Sequence, residues 1–201
     1  MRIDVYRSGL IPQHVFEPVS VLLQDAFAER REQGINFTCG LFSAQDVENE
    51  FVRGYLLLAI NENEQIVGTV SLIEHNKGGF RYVSHDNLAV SSLCKGKGVA
   101  SNLFREVINV TKREGYDFIT SFTATTADSS VRYHLKNGFV IYERTPGKGY
   151  DSYSFIYPLK RFGFMRIKPL SKMIYIILPY IRRIKKYCDN DKFYSRSSTV
   201  L

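Results

Sequence analysis

Cysteine is scarce in this 201-residue sequence, and long apolar runs are missing. Its three cysteines, Cys39, Cys94 and Cys188, lie far apart, with no CxxC pair or neighbouring histidine cluster. This pattern supports neither a disulfide framework nor a zinc site, so we expect no metal and a reducing, cytoplasmic setting. No window holds the roughly 18 apolar residues that a membrane-spanning helix needs. The N-terminus also lacks the apolar run of a secretory signal.

The formal charge of +7 is unevenly distributed along the chain. Residues 159–201 contain eleven Lys and Arg against two Asp, a net +9, so residues 1–158 carry a net −2. A nucleic-acid-binding domain needs a basic face on the folded part of the chain. Because residues 1–158 are net negative, nucleic acid is only a third, weaker hypothesis for the partner. Length and a 44% hydrophobic content predict one main domain at 1–158 and a basic, partly apolar extension at 159–201.

The extension contains nine mainly apolar residues, 173–181, that are interrupted by Pro179 and flanked by Lys and Arg. This run is too short to span a bilayer, but it suits an anionic membrane surface, where apolar burial and basic charge act together. A peripheral location at the inner face of the membrane is therefore one expectation. The alternative is that the run packs on the domain or mediates self-association.

Hydrophobic periodicity predicts the element order βααβββ, a glycine loop, then αβαββ. Strands are predicted at 2–7, 55–60, 65–75, 80–90, 118–124, 139–145 and 153–159, and helices at 20–31, from an N-cap at Ser43, at 99–114 and at 129–138. Hairpins join some strands and helices connect others. The predicted fold class is therefore α/β (α+β), with a mixed, mostly antiparallel central sheet flanked by helices.

The segment from Leu88 to Phe104 contains the most informative functional motif of the sequence. A strand runs into a loop that contains Lys95, Gly96, Lys97 and Gly98, and a helix opens at about Val99. Glycines let backbone N–H groups approach a phosphate, and the helix N-terminus adds partial positive charge, so the junction predicts an anion site that suits a diphosphate. The spacing fits neither a nucleotide P-loop nor a dinucleotide fingerprint.

This segment resembles the coenzyme A loop of the GNAT acetyltransferase superfamily, whose pattern is Arg or Gln, two residues, Gly, one residue, then Gly or Ala. Lys95, Gly98 and Ala100 fill the pattern, with Lys in place of the usual Arg or Gln. A second segment, YHLKNGFVIYER at 133–144, resembles the family's closing Y-x-K-x-G-F signature. The resemblance assigns cofactor contacts to Leu88, Ala89, Val90, Lys95, Gly96, Lys97, Gly98, Val99, Ala100 and Ser101.

The resemblance implies an N-acetyltransferase that moves an acetyl group from acetyl-CoA to an amine-bearing acceptor by direct attack, without an acyl-enzyme. The alternative of a different class is a non-catalytic acyl-CoA-binding or membrane-recruited module. The segments expected to form the acceptor pocket, 34–43 and 145–152, carry no diagnostic charge pattern.

Candidates for the general base lie near the end of the central strand, at His85 and Asp86, with Glu74 on the preceding strand. Strand alternation places Asp86 on the face of Leu88 and Val90, with His85 on the opposite face. We favour Asp86. The alternative for both residues is that they are solvated or hydrogen-bonded at a strand end without a catalytic role.

The candidate acids depart from the family pattern. His134 occupies the usual tyrosine position, four residues before Gly138, while Tyr133 stands one residue earlier. One residue turns a helical side chain by about 100°, so the two are not equivalent, and both stay candidates. The family's asparagine near the start of this helix is replaced by Ala127 or Asp128. Cys94 has no arranged base beside it, so a thiol nucleophile is not expected.

Overall fold

The computed structural model describes residues 1–51, 53–147 and 149–159. The strands are β1 Arg2–Arg7, β2 Tyr55–Ile60, β3 Ile66–Lys77, β4 Phe80–Val90, β5 Phe118–Ala124, β6 Val140–Thr145 and β7 Ser152–Pro158. The helices are α1 Phe16–Glu32, α2 Ala44–Glu50, α3 Val99–Arg113 and α4 Asp128–Lys136. This order is the one that the periodicity predicts. Residues 160–201 lie outside the described residues, and with them the predicted roles of the extension.

The described strands form one seven-stranded sheet in the order β1-β2-β3-β4-β5-β7-β6. Every pairing is antiparallel except that of β4 with β5. The parallel pair arises because α3 carries the chain from the end of β4 back to the start of β5. The predicted fold class, a mixed and mostly antiparallel sheet with flanking helices, is confirmed.

Apolar cores lie on both faces of the sheet, as the alternation in β2 shows. Leu57 and Ala59 pack in the core that contains the buried side of α3. Leu56 and Leu58 pack in the core that contains the buried sides of α1 and α2. We refer to the two sides of the sheet as the α3 face and the α1 face. A strand buried on both sides needs apolar residues at consecutive positions, which is what YLLLAI provides.

The first two helices begin where local chemistry allows. The structure starts α1 at Phe16, four residues before the predicted position, and Pro18 falls in its first turn. Proline is tolerated there because the first N–H groups of a helix have no intrahelical acceptor. Ser43 caps α2 as predicted: its side chain accepts from the Asp46 N–H, and the Asp46 carboxylate accepts from the Ser43 N–H.

A bulge in β4 reverses which side chains face each core. Thr69 pairs with Ala89 and Ser71 with Asp86, so two residues of β4 oppose one residue of β3. Asn87, one of these two, has a φ of 55°. The extra residue breaks the two-residue alternation, as bulges do. It decides where the candidate bases point.

Candidate active site

The parallel strands β4 and β5 separate beyond a short pairing. Their register covers only Tyr82 to Ser84 against Phe118 to Thr120. Beyond this point β4 continues beside β3 alone and β5 beside β7 alone. Among the described strands, a wedge therefore opens between residues 85–90 of β4 and 121–124 of β5. Main-chain groups along its edges have no strand partner across it.

The glycine loop leads from the open end of β4 into α3. Gly96 and Gly98 have φ values of 77° and 80°, a conformation that L side chains rarely adopt. A Cβ atom at either position would meet nothing within 4 Å, so backbone conformation, and not space, requires glycine. Residues 95–98 are exposed to solvent. The loop is therefore open to a ligand, as the anion-site prediction demands.

The first turn of α3 offers free backbone donors. Gly98 is its N-cap and provides no side-chain cap. Within the described part of the chain, the N–H groups of Gly96, Gly98 and residues 99–101 have no hydrogen-bond acceptor. Aligned N–H groups and the helix dipole together attract an anion. The Lys95 ammonium lies 3.2 Å from the Glu29 carboxylate on α1, in a pair more than half exposed and therefore weak.

Gly68 on β3, which sequence reasoning missed, sets the position of this turn. A Cβ atom there would lie 2.7 Å from Cγ1 of Val99, the first residue of α3. The available signal was a glycine inside an apolar strand, which often marks a close approach of another element.

The bulge places His85 and Asp86 opposite to the prediction. His85 packs among core residues of the α3 face, where Leu88 and Val90 also pack. Asp86 lies on the α1 face, where it interacts with Cys39 and with Glu50 of α2. The predicted sharing of a face by Asp86, Leu88 and Val90 is therefore wrong. Alternation fails because the inserted residue at Asn87 shifts every later side chain of β4 to the other face.

His85 is held as a neutral imidazole. Only 2% of it is exposed, and aromatic rings of Phe104, Tyr133 and Phe139 lie about 6 Å away. Burial, with help from nearby His134, lowers its pKa to about 3. Its Nε2 atom has no hydrogen-bond partner among the described residues. A buried ring nitrogen without a partner is unusual, and it marks a place where a ligand's polar group would be stabilised.

Asp86 has the properties of a proton acceptor. Burial raises the pKa of its carboxyl group, the Ser84 hydroxyl opposes this shift, and the negative charge of Glu50 adds to it. Glu74, the other acidic candidate, is engaged elsewhere: its carboxylate accepts a hydrogen bond from the Tyr116 hydroxyl. Asp86 is thus the better placed of the two carboxylates.

Both nitrogen atoms of His134 are already engaged. Nδ1 lies 2.7 Å from the Ser130 carbonyl oxygen and Nε2 lies 2.9 Å from Ser121 Oγ. Burial lowers the pKa of His134, and its ring stacks on Phe155. Ser121 in turn lies 2.8 Å from the His85 carbonyl oxygen, at the point where β4 and β5 separate. Sequence reasoning missed Ser121, which had no distinguishing local signal.

The Tyr133 hydroxyl is buried and has no hydrogen-bond partner in the described part of the chain. Burial raises the pKa of this phenol, so it stays protonated at neutral pH. Its ring lies 5.3 Å from His134 and 6.1 Å from His85 between centroids. Of the two candidate acids, Tyr133 is the one whose donor group makes no hydrogen bond to the described residues.

The two segments expected to form the acceptor pocket meet on the α1 side. Phe37 and Tyr150 contact each other with ring centroids 5.5 Å apart, and Phe27 of α1 lies 5.5 Å from Phe37. Cys39 lies beside them, and burial raises its thiol pKa to about 12, so the thiol stays protonated. Among the described residues, no three His, Cys, Asp or Glu side chains group as metal ligands, and no helix is long and apolar enough to cross a membrane.

Among the solved structures that share this fold, the following three are each at most 20% identical to this chain. An acetyltransferase of the GNAT family from Staphylococcus aureus Mu50 is 20% identical with a TM-score of 0.62, over 79% of this chain and 100% of that one. A Salmonella typhimurium protein solved with its cofactor acetyl-CoA is 15% identical with a TM-score of 0.63, over 80% and 96%. The ribosomal-protein-S18-alanine N-acetyltransferase of Escherichia coli is 11% identical with a TM-score of 0.61, over 79% and 95%.

Sequence comparison identifies the family. N-acetyltransferase 8B of Rattus norvegicus is 32% identical over 89 residues, which are 43% of this chain and span only 40% of that relative's length. The model of the acetyltransferase (GNAT) family matches residues 21–139, more than half of the chain, and includes both the glycine loop and the segment from Tyr133 to Phe139. The resemblance drawn from these motifs is confirmed, and the chain belongs to the GNAT acetyltransferase family.

Proposed function

We propose that the protein transfers an acetyl group from acetyl-CoA to a primary amine, which attacks the thioester directly. The observation that carries this proposal is the set of backbone N–H groups at Gly96, Gly98 and residues 99–101, which have no acceptor among the described residues and lie beside the wedge between β4 and β5. Family membership supports the same reaction class. Bound acetyl-CoA supplies an activated acetyl group, and the chain's own residues hold it, accept a proton from the amine and donate one to the departing sulfur.

The residues present fit this co-substrate. The free N–H groups of the glycine loop suit its diphosphate, and the exposed ammonium groups of Lys95 and Lys97 add charge. The unpaired edge of β4 at residues 88–90 suits the amide groups of the pantetheine arm. His85 Nε2 and the Tyr133 hydroxyl are buried polar atoms without a partner among the described residues, which a bound ligand would satisfy.

Asp86 serves as the general base in this proposal. An alkylamine is almost fully protonated at neutral pH, and only its neutral form attacks a carbonyl carbon. A carboxylate whose pKa is raised by burial accepts a proton better than an exposed one, because its pKa lies closer to the working pH. The aromatic pair Phe37 and Tyr150 on the α1 side supports an acceptor that approaches Asp86 from that side.

Tyr133 serves as the donor to the departing sulfur. Its O–H is available, whereas a proton donated by His134 would have to leave a hydrogen bond to Ser130 or Ser121. We assign His134 a positioning role, because its contact with Ser121 supports the link to the His85 carbonyl at the vertex of the wedge.

Calorimetric titration with acetyl-CoA tests the binding half of the proposal. Gly98→Asp places a negative charge among the diphosphate donors, and two charges about 4 Å apart repel by about 4 kcal/mol near a protein surface. We expect affinity to fall at least about 100-fold. Gly98→Asn is the matched control, because it has the same shape without the charge and asparagine tolerates a positive φ. Wild-type affinity in Gly98→Asp would refute the assignment of the loop.

Release of free thiol from acetyl-CoA in the presence of a panel of amines tests the chemical half. We expect Asp86→Asn to reduce kcat by about 10²- to 10⁴-fold, the usual contribution of a general base, with unchanged affinity for acetyl-CoA. If the wild-type protein binds acetyl-CoA but releases no thiol from it with any amine of the panel, the transferase proposal fails. The protein would then be a non-catalytic module that binds acyl-CoA.

We also infer that the protein acts in the cytoplasm, at an anionic membrane surface to which its 159–201 extension binds. The support is the sequence alone: a net charge of +9 around an apolar run at 173–181. Co-sedimentation with vesicles should require phosphatidylserine, weaken with salt and disappear on truncation after residue 158. Equal binding to neutral vesicles, or a truncated protein that still binds, would contradict this inference.

A further inference from the structure

A general base on the α1 face must pass on the proton that it accepts. Asp86 is only partly exposed, and among the described residues the titratable groups that interact with it are Glu50 and Cys39. The Cys39 thiol stays protonated, so it cannot accept a proton. An exit through side chains therefore has to run along the sheet or through Glu50.

Ser84 lies next to Asp86 on this face. The two residues are separated by one position of β4, before the bulge, so their side chains point to the same side of the sheet. The Ser84 hydroxyl is near enough to affect the Asp86 carboxylate, because it favours the ionised form and lowers the pKa of that group. Ser84 is thus the polar residue that precedes Asp86 on this face of β4.

His75 continues the line from Ser84. Its Nε2 atom lies 3.1 Å from Ser84 Oγ, across the pairing of β3 with β4. The ring stacks on Tyr82 with centroids 4.9 Å apart, which fixes its plane. His75 is half-buried, and the next residues of β3, Asn76 and Lys77, are exposed. The three polar groups therefore lead from the proposed base towards solvent.

We propose that Ser84 and His75 form a proton relay that carries the amine's proton from Asp86 to solvent. This relay rests on the proposed function, since it presupposes that Asp86 is the base. The neutral form of His75 is the one that accepts a proton, and burial together with the charge of Arg53 lowers its pKa and favours that form.

Each transfer breaks one bond to hydrogen and forms another. The amine's N–H bond breaks as an O–H bond forms on Asp86. The Asp86 proton moves to Ser84 Oγ while the Ser84 proton moves to His75 Nε2, giving an imidazolium ion. His75 then loses its Nδ1 proton to water, and exchange with solvent restores the starting tautomer. No electrons are transferred, and water is the final acceptor.

Steady-state kinetics on the full chain test the relay. His75→Gln keeps a group that hydrogen-bonds Ser84 but cannot carry a proton, and Ser84→Ala removes the middle hydroxyl. We expect each to lower kcat about tenfold, with an unchanged KM for acetyl-CoA and a larger solvent isotope effect on kcat. Ser84→Thr, which keeps the hydroxyl, should recover most of the kcat that Ser84→Ala loses. His14→Gln, the same change at an exposed histidine outside the site, should retain wild-type kcat.

Chemical rescue separates proton transfer from a structural role. Added imidazole should restore kcat of His75→Ala but not of Ser84→Ala. The relay is overturned if Asp86→Asn is inactive while His75→Gln and Ser84→Ala keep wild-type kcat. It is also overturned if imidazole fails to restore kcat of His75→Ala. A Glu50→Gln variant that slows the reaction when His75→Gln does not would overturn it as well, because the proton would then leave through Glu50. An Asp86→Asn variant with full activity instead overturns the base assignment in the proposed function.

Discussion

The close packing of α3 on β3 leads to a quantitative prediction at Gly68. A Cβ atom at this position would lie 2.7 Å from Val99 Cγ1 and 3.1 Å from Leu103 Cδ1, and both side chains are buried. Alanine recovers roughly 0.5–1 kcal/mol because it has less backbone freedom to lose than glycine. Overpacking a tight core costs roughly 1–3 kcal/mol. The larger effect decides, so we expect Gly68→Ala to lower the free energy of unfolding by about 1–2 kcal/mol.

Urea denaturation of a double-mutant cycle checks this reasoning. Val99→Ala alone removes two buried methyl groups and should cost roughly 1–2.5 kcal/mol. In the double variant the methyl group at position 68 occupies space vacated at position 99, so the combined loss should fall short of the sum by about 1 kcal/mol or more. Because Val99 opens α3, Gly68→Ala should also weaken acetyl-CoA binding. Additive losses, or a single variant as stable as the wild type, would refute the steric argument.

Three further predictions concern the candidate site. Tyr133→Phe should reduce kcat without lowering stability, because the hydroxyl that it removes has no partner among the described residues; a loss of stability in urea denaturation would contradict this. Turnover should rise with pH through an inflection above the ordinary Asp value of about 3.9, since only ionised Asp86 accepts a proton and burial raises its pKa. The free energy of unfolding should fall as pH drops from about 6.5 towards 3. In this range His85 binds a proton in the unfolded chain but not in the folded protein, where its pKa is about 3. His85→Leu should flatten this dependence, and an unchanged slope in denaturation at several pH values would show that other groups cause it.

The co-substrate loop could be predicted because its signal is local. Gly96 and Gly98, which alternate with Lys95 and Lys97 ahead of an amphipathic helix, determine a positive φ and a free helix N-terminus whatever the rest of the chain does. The same holds for the start of α2, where Ser43 and Asp46 cap each other within four residues. Both features depend on neighbours in sequence, and both are present in the structure.

The faces of His85 and Asp86 could not be predicted, because they depend on pairing between strands. The bulge at Asn87 exists only when β4 pairs with β3, and it reverses the side-chain pattern that alternation predicts. The choice between Tyr133 and His134 likewise depends on residues distant in sequence. Ser121 engages His134 from β5, thirteen residues away, while nothing in the described chain engages the Tyr133 hydroxyl.

The sequence by itself determined the order of elements, the mixed sheet and the glycine loop, because hydrophobic period, turn chemistry and helix capping act over a few residues. Only the tertiary structure decided which side chains are buried, which polar atoms lack a partner, and which groups follow Asp86 across the sheet. Those properties arise from pairing and packing between segments far apart in the chain, such as His75 against Ser84 and Gly68 against Val99. No local pattern encodes them.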